Sequence, residues 1–181
     1  MRIFLSWSGE TSRALADVLR QWLPSVIQAS RPYFSPDDVT KGTRWSSEIA
    51  QELNQSQLGL ICLTKDNLVA PWIMFEAGAL SKNIGAARVI PLLFAVDPSE
   101  LIGPMTQFQA AQFAEDEIRR VVLAINAELA ESRLAPEVIQ DVFAMWWPRL
   151  KDRVSTILTA AVEKPQPPTR SEKDILEEVL A

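Results

Sequence analysis

The chain has no histidine among its 181 residues. That excludes Ser-His-Asp and Cys-His nucleophilic chemistry and the zinc sites that use an imidazole, and a single cysteine rules out the all-cysteine ones. Cysteine is almost as scarce. Cys62 stands alone, so no internal disulfide can form, and its place in LGLICLT reads as strand filler. Neither GxGxxG nor GxxxxGK[ST] occurs, which removes the Rossmann fingerprint and the P-loop. The net charge is -5 and no block of Lys or Arg interrupts it, so the electrostatic footprint for nucleic acid or anionic lipid is missing. No apolar run reaches the roughly 18 residues that span a bilayer. Residues 1–15 lack the basic-then-apolar order of a signal peptide, so a cytoplasmic location is expected. Any catalysis must rest on Asp, Glu, Ser, Lys or Arg.

What is present is a globular balance, with 48% hydrophobic and 23% charged residues. The length suits one domain plus an appendage. RIFLSW (2–7) reads as a first strand, and ETSRALADVLRQWLPSVIQ follows with Leu15, Val18, Leu19, Trp22, Leu23 and Ile27 at helical spacing. Pro24 is expected to end or kink that helix. RPYF (31–34), LGLICLT (58–64) and RVIPLLF (88–94) read as further strands, the last two apolar throughout as in strands buried on both faces. Helices are expected over WSSEIAQELNQS (45–56), over PWIMFEAGALSKN (71–83) with Pro71 at a first helical position, and over EDEIRRVVLAINAELAES (115–132). TQFQAAQF (106–113) is a weak fifth strand.

Strands alternating with helices predict an α/β three-layer sandwich, flavodoxin-like, around a central, mostly parallel five-stranded sheet. Ligands in such sheets collect at the carboxyl ends of the strands. Here those ends are Ser6-Trp7-Ser8-Gly9, the loop after Phe34, Thr64-Lys65-Asp66 and the loop after Phe94. Past residue 135 a C-terminal helical extension is expected, interrupted at Trp147-Pro148 because the residue before proline resists the α conformation. The expected division is a domain over 1–162, a Pro-rich linker over 163–170 and a short amphipathic tail over 171–181, whose face of Ile175, Leu176, Val179 and Leu180 must dock on its own domain or on a partner.

One carboxylate is out of place. In APWIMFEAGAL (70–80) Glu76 interrupts an apolar run, four residues after Trp72 and so on the same helix face. It lies in the second turn, near the positive end of the helix dipole. The helix follows a buried strand, which puts its start at the ligand-collecting edge. An aromatic ring beside a carboxylate there suits a planar, sugar-bearing ligand. From spacing alone, a dipole-friendly surface Glu beside an ordinary core Trp is the better explanation of the pattern.

FLSWS, DDVTKGTRWSSEIAQELNQS, LGLICLT and NLVAPWIMFEAGAL stand in an order and spacing that resembles the TIR (Toll/interleukin-1 receptor) domain, its bacterial forms above all, over about residues 1–130. The ordered set carries the resemblance; no one motif does. Two departures stand out: the loop continues through Thr43, Arg44 and Trp45 in an unusual form, and the last 50 residues have no counterpart in a minimal TIR domain. The resemblance implies an NAD+ glycohydrolase with Glu76 catalytic and Trp72 stacking nearby. It makes Trp7 and Trp45 further stacking candidates. Ser6, Ser8 and Lys41 become candidates for phosphate or ribose hydroxyls, with Asp38 of the Asp-rich loop completing the substrate-binding set. NAD+ is then substrate, and no cofactor or metal is implied. Further implications are an immune effector role and self-association through the so-called BB loop (35–45), with a sensor domain or partner reached through the tail. Nucleic acid and membrane are not expected partners. A non-catalytic TIR adaptor is the alternative from another class, and a nucleoside deoxyribosyltransferase-like enzyme a third. A phosphorelay receiver is disfavoured, since the first strand ends in Ser6-Trp7-Ser8 and not in paired acids.

Overall fold

The computed structural model describes residues 1–34, 56–68 and 88–163. Five strands, β1 (Arg2–Ser6), β2 (Arg31–Phe34), β3 (Leu58–Leu63), β4 (Arg88–Leu93) and β5 (Ala111–Gln112), form one sheet in the order β2-β1-β3-β4-β5. Every pairing is parallel. This is the flavodoxin-like α/β order, with its reversal of direction between β1 and β3.

Side chains alternate across the pleat and sort the core into two clusters. Ile3, Leu5, Leu58, Leu60, Cys62, Leu92 and Phe94 face one way, toward α1 (Glu10–Val26), α2 (Glu115–Ala127) and α3 (Pro136–Glu163). Phe4, Ile61, Leu63, Val89 and Leu93 face the other way, with Val96 and Met105. The helices expected over 45–56 and 71–83 lie outside the described residues. β3 is buried at all six positions, as its continuous apolar run requires. Burial also pushes the Cys62 thiol up to about 12, so it stays protonated.

Two prolines lie inside helices. Pro24 sits inside α1, which continues to Val26 and closes with Ile27 N–H donating to Leu23 O. Pro148 lies inside α3, which runs unbroken from Pro136 to Glu163. The expected interruption at Trp147-Pro148 is therefore corrected. A mid-helix proline removes one hydrogen bond and crowds the preceding turn. Packing of the opposite face outweighs that cost here. Phe143, Trp147, Leu150 and Val154 are all buried on one stripe, whereas Pro148 itself is exposed. Trp147 lies 5.6 Å from the Phe143 ring and 5.3 Å from Phe113. Phe143 meets Trp22 of α1 edge-on at 6.1 Å, and Arg119 of α2 stacks over it at 5.3 Å. Trp22 Nε1 donates to Trp146 O at 2.9 Å. The extension is thus part of the domain core, pinned to α1 and α2.

The fifth strand is shorter than its sequence suggested, with only Leu92↔Ala111 and Leu93↔Gln112 paired. VDPSELIGPMT, expected as a loop, contains two 3-10 turns, the first opened by an Asp97 capping box. A buried Asn126 closes the α2–α3 connection, donating to Leu134 O and accepting from Leu134 N–H, both at 2.9 Å.

Replacing Phe143 by Ala removes the ring shared by three helices and is expected to cost about 3–5 kcal/mol, measured by urea denaturation. An unchanged midpoint would show that α3 is not structural. Cys62, with its thiol buried and neutral, should react with a thiol reagent only upon unfolding; rapid stoichiometric labelling of the native chain would contradict its place in the core.

Candidate functional site at the carboxyl edge

The chain reverses between β1 and β3, so the crevice between their carboxyl ends is where a ligand is expected in this architecture. The exit of β1 is Ser6-Trp7-Ser8-Gly9. Ser6 is fully buried and Trp7 is only 6% exposed, packed into the cluster beneath α1. The Arg13 guanidinium stacks on the Trp7 ring at 5.4 Å from its centroid. Ser8 is half-buried and leads to the turn. Gly9 forms the N-cap of α1 at φ 84°, a left-handed backbone that favours glycine, and a Cβ there would meet nothing within 4 Å. Gly9 has no side chain to cap the helix, so the first-turn amides of α1 are not capped by their own N-cap residue. Uncapped amides with the helix dipole behind them suit an anionic group, although Glu10 in that turn opposes it.

A buried polar clamp fastens this turn to the end of β3. Asn67, 2% exposed, lies in the turn after β3. Its Nδ2 donates to Ser8 O at 3.1 Å and to Cys62 O at 3.0 Å, and its Oδ1 accepts from Thr64 N–H at 2.8 Å. Ser12 of α1, also buried, donates from Oγ to Cys62 O at 2.8 Å and accepts a longer bond from Ser8 N–H at 3.4 Å. One amide side chain therefore satisfies three backbone groups that neither strand nor helix can reach. The hydroxyl of Thr64 is buried at the same edge without a hydrogen-bond partner among the described residues, leaving it available to a group entering the crevice.

Of the residues singled out from sequence, the structure brings Ser6, Trp7 and Ser8 to this edge, two of them with their side chains inside the core. Asp38, Lys41, Trp45, Trp72 and Glu76 lie outside the described residues, as do the BB loop (35–45) and the tail (171–181). Sequence reasoning passed over Ser12 and Asn67. A signal existed for both: Ser12 is a hydroxyl on the apolar stripe of α1, three residues before Leu15, and Asn67 is an amide four residues past a wholly apolar strand.

Asn67→Ala would leave Ser8 O and Thr64 N–H without their side-chain partner and Cys62 O with Ser12 alone. It should destabilise the domain by about 1–3 kcal/mol, read by chemical denaturation. Amide exchange at Thr64 should rise with it. Exchange there equal to wild type would mean the clamp does not hold the edge.

A family model described as the TIR domain matches residues 3–123, about two thirds of the chain. Among solved structures, the chain is similar to the TIR domains in the activated Roq1 resistosome directly recognizing the pathogen effector XopQ, at 16% identity and TM-score 0.44, covering 88% of this chain and 98% of that one. An azoreductase from Bacillus anthracis is similar at 11% identity and TM-score 0.39, covering 86% of this chain and 97% of its own. Azoreductase AzrA is similar at 12% and 0.34, covering 86% and 98%. No curated protein matches. With the family model running from β1 into α2, across both strands that form the crevice, the chain belongs to the TIR domain family.

Proposed function

We propose that this TIR domain cleaves NAD+ at the bond between nicotinamide and ribose, with Glu76 as the catalytic residue. The observation that carries the reading is the match of the family model across residues 3–123, a span that includes the Trp72-x-x-x-Glu76 pattern. The chemistry suits a chain without histidine. The bond from C1′ to the ring nitrogen breaks with its electron pair passing to the pyridinium, so nicotinamide departs neutral and needs no general acid. Glycosidases employ two carboxylates because their leaving oxygen must be protonated. Here one carboxylate suffices, stabilising the oxocarbenium-like ribose and orienting its hydroxyls. Water then adds at C1′ and releases a proton, giving ADP-ribose; a nucleophile within the substrate gives a cyclic isomer instead.

Within this reading Trp72 and Trp45 stack on the substrate's rings, and Ser8, Asp38 and Lys41 meet its hydroxyls and phosphates. Ser6 and Trp7, with side chains buried, support the edge from beneath. The α1 amides beyond Gly9 add a site for phosphate. The biological role that fits is an immune effector that becomes active on self-association through the BB loop, head-to-tail contacts being able to propagate as open filaments.

Incubating the concentrated or artificially clustered chain with NAD+ should release nicotinamide, followed by chromatography. Glu76→Gln should lower kcat by about 10²–10³ while the melting temperature stays near wild type. No release from the clustered wild type, or equal release from Glu76→Gln, would leave the non-catalytic adaptor as the better account.

A further inference from the structure

The outer side of α3 carries an apolar stripe that the core does not use. Val138, Val142 and Met145 recur at helical spacing, and Arg149 continues the line. Val142, and Trp146 beside it, touch the core with one side, whereas Val138 is 46% and Met145 74% exposed. A single exposed methionine would mean little, but three apolar residues in line beside a half-buried indole form a patch. A guanidinium closes it. Arg149 stacks over Trp146 at 5.5 Å and makes no ion pair among the described residues. Asp141 and Asp152 are exposed along one border of the stripe. On the other border, beside α1, Arg153 donates to Gln21 Oε1 at 2.9 Å.

A helix that complements this stripe runs antiparallel to α3 and presents one carboxylate followed, four and seven residues on, by apolar side chains. The sequence beyond α3 supplies that order. Glu172, Leu176 and Val179 stand at i, i+4 and i+7, matching Arg149, Met145 and Val142 read backwards along α3. Ile175 and Leu180 widen the same face.

Length decides whether that segment can reach. α3 ends at Glu163, and Arg149 stands about 21 Å back along it at about 1.5 Å per residue. Residues 164–170 include Pro165, Pro167 and Pro168, and at about 3.1 Å per residue they cover roughly 22 Å. A linker folded back along α3 therefore delivers Ser171 beside Arg149 and the following two turns beside Met145, Val142 and Val138. Tethering makes the contact intramolecular, so a helix too short to be stable alone meets its surface at high effective concentration.

We propose that the tail, residues 171–181, folds back as a helix antiparallel to α3 and docks on the Val138–Val142–Met145 stripe, with Glu172 paired to Arg149. The contact does not depend on the chain having NAD+-cleaving activity.

A nitroxide on Ala181→Cys in the ¹⁵N-labelled full chain reads this contact, because the buried Cys62 stays unreacted in the native protein. The amides of Val138 and Val142 should lose most of their intensity and recover it when the nitroxide is reduced. Leu176→Asp combined with Val179→Asp, changes confined to the tail, should abolish that loss. Arg149→Glu should weaken it, and Glu172→Arg in that background should bring it back. The proposal falls if the two amides keep their intensity. It falls too if the Leu176/Val179 variant or Arg149→Glu broadens them as the parent does, the signature of a tail that samples solvent without docking. It falls equally if nitroxide-bearing chains of natural isotope content broaden the same amides in ¹⁵N chains that carry no nitroxide, which would assign the stripe to a second copy.

Discussion

β3 has no exposed residue, and the remaining architecture is arranged around keeping it so. A strand buried on both faces and flanked on both edges must find all its backbone partners in neighbouring strands and all its side-chain contacts in the layers above and below. β1 and β4 supply the first, in parallel register along its length. α1, α2 and α3 cover the face of Leu58, Leu60 and Cys62. The end of β3 is where this supply stops. There the carbonyl of Cys62 takes its partners from Asn67 and Ser12, side chains on either side of the crevice. The polar clamp at the candidate site and the apolar core beneath it thus follow from one demand: a buried strand leaves no main-chain group unpaired.

α3 extends the same logic to the surface of the domain. Its long helix survives an internal proline because a stack of rings on its buried side holds both halves in line. The aromatic cluster draws on α1, α2, α3 and Phe113 just after β5, so elements distant in sequence share one packing unit. The carboxyl edge therefore rests on a scaffold closed by the last described helix, and the TIR portion and its extension form one body.

Much of this was legible in the amino-acid sequence. β2 matches its predicted span residue for residue, and β3 and β4 each end one residue sooner, because continuous apolar runs between polar turns leave few alternatives. The face of α1 followed from spacing for the same reason. Local rules failed where tertiary contacts dominated. Proline chemistry predicts a break at Trp147-Pro148, and only the contacts of Trp147 with Phe113 and Phe143 reveal why none occurs. The shortness of β5 depends on which residues of β4 it reaches, which no single segment encodes. At the site, Ser6-Trp7-Ser8 was found by its position after a strand. Which of the three side chains turns inward follows from the pleat and from the packing of α1, and so stayed hidden. Asn67 escaped notice because an amide in a turn is common, and its three partners lie on two stretches of chain, the exit of β1 and the end of β3.

The shortness of β5 carries one more consequence. Short edge strands leave main-chain groups that can template pairing with another chain, and an apolar strand such as RVIPLL is the kind that recruits copies of itself. Pro91, midway along β4, has no N–H and interrupts any such ladder after a single rung. β5 stops short of Val89, and Pro91 keeps that uncovered stretch from offering a continuous ladder, a safeguard set in the main chain itself.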